Sequence, residues 1–241
     1  MGQTAGVLLV AATLCVGCAP SAGDQQVGLG SSVDLRVSNS AGTVSLLGGG
    51  ISDTVFLSYE VRSDDGSATV ADVELTAGPS GETFVVSVAT PGPDVWVDLL
   101  IGLPDDLPYG VATGSGDIFL ESLAGGGSVL TSTGVVSGGG LSGNLAIVAD
   151  WSEVYLEAQV EEGDALSVEV GEGPIVLTVP SGTDAAFEAS AAGGLLDIQE
   201  VPFSGEQTAS TASGVLGVGG EATINLTTGL GNISVYGTES L

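Results

Sequence analysis

A chain of 241 residues with 40 glycines, 43% apolar residues and no three-residue glycine period is neither collagen-like nor a disordered linker. Its 30 acidic residues face only two basic ones, Arg36 and Arg62. The net charge of −28 repels nucleic-acid phosphate and draws cations or basic surfaces instead.

The chain begins with an apolar run, residues 7–17, that is too short to cross a bilayer as a helix and reads as the hydrophobic region of an export signal. Cys15-Val16-Gly17 before Cys18 resembles the lipobox of bacterial lipoproteins, with Gly and Val at the expected places and Cys15 where Leu is usual. That resemblance implies cleavage after residue 17, a lipid on Cys18 and a tether over 18–31. An ordinary cleaved signal with two incidental cysteines is the alternative. With Cys18 as the mature chain's one cysteine, no intrachain disulfide can form.

From Ser32 the pattern is that of strands. Val33, Leu35 and Val37 alternate with polar residues, and similar runs follow at 54–61, 69–75, 83–88 and 94–101. Asp64-Asp65-Gly66, Gly78-Pro79-Ser80-Gly81 and Pro91-Gly92-Pro93-Asp94 supply the reversals between them. No window carries a 3.6-residue apolar period, so the chain is expected to be all-β.

Beyond Pro104 a unit of Gly, one free position and an aliphatic residue takes over. Its glycines are Gly116, Gly134, Gly173, Gly194 and Gly231, with Ser152 in the third copy and an early copy at Gly42. Its aliphatics are Val44, then Ile118, Val136, Val154, Ile175, Leu196 and Ile233, the last six spaced by 18, 18, 21, 21 and 37. A period near 20 marks stacked structural repeats. Eighteen residues at about 3.3 Å each wrap roughly 60 Å, one narrow coil of short strands. The expected fold is therefore a β-solenoid with coils of 18–21 residues over 105–241, capped by antiparallel strands over 32–104. The glycines form its corners, and the aliphatics stack in its core.

Leu103-Pro104 before Thr113-Gly114-Ser115-Gly116-Asp117-Ile118, and the closing Thr227-Thr228-Gly229-Leu230-Gly231-Asn232-Ile233-Ser234-Val235, resemble the "putative adhesin" family of bacterial envelope domains. The resemblance spans roughly residues 33–237. It implies a right-handed parallel β-solenoid outside the cytoplasmic membrane with an adhesive or structural role, and it brings no catalytic residues with it. Trp151 and Ser152 depart from the family's pattern.

Chemistry is restricted by what the chain lacks. His and Lys are absent, and no nucleophile elbow, phosphate loop or dinucleotide fingerprint occurs. The triplets at 125–127 and 138–140 are expected as corners rather than phosphate cradles. Asp64-Asp65, Asp105-Asp106 and Glu161-Glu162-Gly163-Asp164 are the candidate Ca²⁺ or carboxylate sites, against the simpler reading of solvated acidic turns. Trp96 and Trp151 are the candidate contact aromatics.

The expectation is a non-enzymatic, lipid-anchored envelope module that binds an envelope protein or polysaccharide, with no cofactor, no metal and no nucleic acid. A carboxylate-dependent polysaccharide enzyme and a Ca²⁺-stabilised scaffold are the alternatives.

Overall fold

The computed structural model describes residues 22–50 and 53–239. The export signal, Cys15, Cys18 and the start of the expected tether lie outside them. Among the described residues the chain is strands with a single 3₁₀ turn, Val70–Asp72. The first strands are β1 (Ala22–Gly28), β2 (Asp34–Ala41), β3 (Val44–Leu47), β4 (Thr54–Ser63), β5 (Glu74–Ser80), β6 (Thr83–Ala89) and β7 (Val95–Gly102). The middle contributes β8 (Tyr109–Ser115), β9 (Ile118–Glu121), β10 (Gly127–Leu141), β11 (Leu145–Ala158), β12 (Ala165–Glu172) and β13 (Ile175–Pro180). The chain closes with β14 (Ala185–Ala191), β15 (Leu196–Gln199), β16 (Phe203–Gln207), β17 (Thr211–Leu216), β18 (Ala222–Leu230) and β19 (Ile233–Thr238). Part of the expected tether is thus the edge strand β1, paired antiparallel with β4.

All of them join one mixed sheet, arranged as two files of strands. The long strands β10 and β11 run through both files. In the first file the spatial order is β5, β6, β2, β8, β10, β11, β12, β18, β14, β17 and β16. In the second it is β1, β4, β7, β3, β9, β10, β11, β13, β19 and β15. Inward side chains of both files, such as Val111, Val129 and Ile147 from one and Leu120, Leu156 and Leu177 from the other, belong to a single buried cluster. Each such Val, Leu or Ile contributes about 1.5–3 kcal/mol by leaving water.

The expected right-handed parallel solenoid is not what forms. A solenoid stacks each coil on the one before it in sequence, and only residues 109–180 do so. At one end β2–β3 inserts between the layer of β6–β7 and that of β8–β9. At the other, β18–β19 inserts between β12–β13 and β14–β15. The step of 37 from Leu196 to Ile233 is therefore no double turn, because the later copy lies inside the earlier one. Antiparallel pairs close both ends, with β1, β4 and β5 on one side and β16 and β17 on the other. The residues expected as an N-terminal cap include β2 and β3, which are interior layers. A repeat fixes which residues can stack on one another, not which copies become neighbours.

The repeated unit turns the chain between files. At Gly134 φ is +127°, and a Cβ there would overlap the carbonyl of Gly116 in the next layer; Gly116, at φ +120°, stands in the same relation to Gly42. Both the backbone conformation and the close approach therefore demand glycine. The same overlap links Gly42 to Val97, Gly173 to Ser152, Gly231 to Gly173 and Gly194 to Gly231. Ser152 occupies this column with its hydroxyl buried and unpartnered.

The aliphatics pair layer to layer: Val44 with Ile118, Ile118 with Val136, Val136 with Val154, Val154 with Ile175, and Ile233 with both Ile175 and Leu196. The free position between them also has a role. Asp98, Asp117 and Asn232 each accept the main-chain N–H of the adjacent layer's residue, Thr43, Val135 and Leu195, at 2.9 Å. Inside the corner, Thr131 and Thr228 donate to the carbonyls of Thr133 and Gly173, and Asn39 donates to those of Gly42 and Val97.

Gly134→Ala is expected to cost about 3 kcal/mol or more, lowering Tm by roughly 6–12 °C. Gly139→Ala, where a Cβ meets open space, should leave Tm nearly unchanged in the same calorimetric scan. Asp117→Ala should cost about 1–2 kcal/mol in urea unfolding. Asp117→Asn should cost much less, since Asn232 already does this work with an amide oxygen.

Candidate binding surface

Outward side chains of the first file should be polar, yet across five strands most of them are small or aliphatic. Register sets two rows side by side. One runs Val85, Arg36, Gly110, Ser128, Ala146, and the other Ser87, Ser38, Ala112, Leu130, Val148. Ser38, Gly110, Ala112 and Ser128 are small, Val85 on one side and Leu130 and Val148 on the other are larger, and a groove of about 490 Å³ lies in this face. Leu130 is 56% exposed and Val148 43%. Contiguous apolar surface of this kind marks a contact site more often than a solvated face.

Arg36 is the groove's one cation. Its Nε donates to Asp34 at 2.9 Å and its Nη1 to Ser128 at 3.3 Å. The guanidinium lies across Gly110, where a Cβ would overlap Nη1. A half-exposed pair of this kind adds little stability, but it holds the planar group across the middle of the groove. The arrangement suits an apolar group that carries an acceptor oxygen. The other arginine, Arg62, bridges Glu60 at 2.9 Å and Asp98 at 3.0 Å on the second file. The hydrogen bond it donates to Glu60 and the charge of Asp98 raise its pKa.

The acidic candidates do not converge. Asp105 and Asp106 are exposed, and the Asp105 carbonyl accepts from Ala124 and Gly125. Asp164 accepts the N–H of Glu161 within its own turn. Asp65 accepts from the hydroxyl and N–H of Ser67 and the hydroxyl of Ser63, which holds its pKa down at about 2. Among the described residues no group of three or more His, Cys, Asp or Glu side chains is placed to hold a metal ion. The triplets at 125–127 and 138–140 lie at and within β10. Gly125 packs on the main chain of Asp106 and Leu107, and Gly126 on that of Asn144.

Trp96 is half-buried opposite Arg62, whereas Trp151 is 64% exposed at a corner, between Thr133 and Glu172 of the adjoining layers. Leu35 and Val37 point inward as expected, and Val33 is exposed. The groove residues escaped the sequence reading. Their signal was lost alternation: Ser128-Val129-Leu130 and Leu145-Ala146-Ile147-Val148 keep apolar residues at both parities.

No family model matches the chain, and no curated protein matches it. Among solved structures it is similar to a putative cell adhesion protein from Clostridium sporogenes, with a TM-score of 0.52 and 12% identity over 91% of this chain and all of that one. A putative adhesin from Bacteroides fragilis aligns over the same share of this chain at 15% identity, with a TM-score of 0.35, too loose to carry an argument. The likeness to the clostridial protein is one of fold.

Proposed function

We propose that the chain is a non-enzymatic, adhesin-like binding module of the cell envelope, anchored through a lipid on Cys18. The observation that carries this reading is the groove across β6, β2, β8, β10 and β11. It is largely apolar surface on a sheet, with a single positioned cation. The fold shared with the clostridial protein supports the same reading. The chain's lack of His and Lys leaves hydrolysis or group transfer few means.

Binding at the groove is tested by titrating labelled protein onto intact envelopes. Leu130→Asp and Val148→Asp place a carboxylate on the groove without entering the core and should each weaken binding about tenfold, a loss of roughly 1.4 kcal/mol. Equal binding by the wild type and both variants would remove the groove from the function. Anchoring has its own test. Labelled palmitate should enter the wild type and not Cys18→Ala, and a wild-type protein left unlabelled in the cytosol would refute it.

A further inference from the structure

The outward face of the second file carries a pattern with a two-layer period. In alternate layers the chain reads Asp98-Leu99-Leu100, Asp117-Ile118-Phe119-Leu120-Glu121 and Glu153-Val154-Tyr155-Leu156-Glu157. The layers between them read Thr43-Val44-Ser45-Leu46-Leu47 and Val135-Val136-Ser137-Gly138-Gly139. Register places Leu100, Ser45, Phe119, Ser137 and Tyr155 in one straight row across the strands. The large members are exposed, at 40% for Leu100, 42% for Phe119 and 39% for Tyr155. The serines between them keep each platform clear of the next.

Every platform has a carboxylate two residues before it, and Phe119 and Tyr155 have another two residues after. Asp98 and Asp117 are already engaged, by Arg62 and by the N–H groups of Thr43 and Val135. Glu121, Glu153 and Glu157, by contrast, share the outward parity of their strands and flank the platforms on the same face. Tyr155 donates its hydroxyl to Glu153 at 2.7 Å, which fixes the ring beside its acid. Next to Phe119, a depression of about 370 Å³ is bounded by Glu121, Ser137, Gly139 and Glu157. The platforms recur every second layer, at roughly 9.6 Å for strands ~4.8 Å apart.

We infer that this face binds an extended β-1,4-linked glycan free of acidic groups. In such a chain alternate rings present the same face, and their separation is close to two inter-strand spacings, about the platform period. Phe119 and Tyr155 take the apolar face of alternate sugars on their flat rings, and Leu100 extends the row with an aliphatic contact. Glu121, Glu153 and Glu157 accept hydrogen bonds from the ring hydroxyls, charge-assisted and therefore strong. An acidic polysaccharide is excluded by those carboxylates and by the net charge of −28. A second copy of this chain is excluded by the same repulsion. The inference is independent of the groove, which lies on the other file.

The test is affinity electrophoresis of the purified protein at physiological salt, in gels containing hydroxyethylcellulose, glycol chitosan or dextran. Both β-1,4-linked polymers should retard the wild type, and dextran, with a different linkage, should not. Phe119→Ala and Tyr155→Ala should each weaken retardation by about tenfold or more. Phe119→Tyr and Tyr155→Phe, which keep the platform, should stay within about threefold of wild type, as should the groove variant Leu130→Asp. No retardation by hydroxyethylcellulose would overturn the inference, and so would equal retardation by dextran. Retardation by glycol chitosan alone would reduce the face to a charge attraction and overturn it too. So would alanine variants that bind like the wild type.

Discussion

Backbone packed against backbone at the corners is the constraint on which the rest of this structure depends. Where Gly134 meets Gly116 and Gly116 meets Gly42, one layer's carbonyl occupies the space a side chain would need. Layers held at that separation bring Ile118, Val136 and Val154 into one buried column and let Asp117 reach the N–H of Val135. The corner unit is thus a single device. A glycine turns the chain, a polar side chain closes an otherwise open N–H, and an aliphatic residue carries the core onward.

That device also makes the outer faces regular. With register fixed by the corners, whatever stands at a given offset from the glycine forms a row across the sheet. On the first file the offsets before the glycine bring Gly110, Ala112, Leu130 and Val148 together as a groove. On the second file the offset after it lines up Leu100, Phe119 and Tyr155. A structure so repetitive inside can vary these rows at little cost to folding, because outward residues of a strand do not enter the core.

Charge acts in the same division of labour. Among the described residues, only Asp34, Glu60 and Asp98 form ion pairs, and both arginines are used in them. The remaining acids stand on turns and outer rows, where they repel other copies and anionic surfaces. An apolar groove on such a molecule can stay open to solvent without driving self-association.

Much of this was legible in the chain itself. The all-β class, the corner glycines and the residues that share a column follow from composition and spacing, since a local backbone requirement and a side-chain period are written residue by residue. Two things were not. The order of the layers was settled only in three dimensions, where β2–β3 and β18–β19 insert between layers that the sequence places elsewhere. Equivalent copies offer equivalent edges, so spacing cannot say which of them will pair, and a mixed sheet forms in place of a solenoid. The groove was the other. Leu130 and Val85 are 45 positions apart, and nothing in either neighbourhood shows that Arg36, Gly110 and Ser128 lie between their strands until hydrogen bonding across the sheet brings them together.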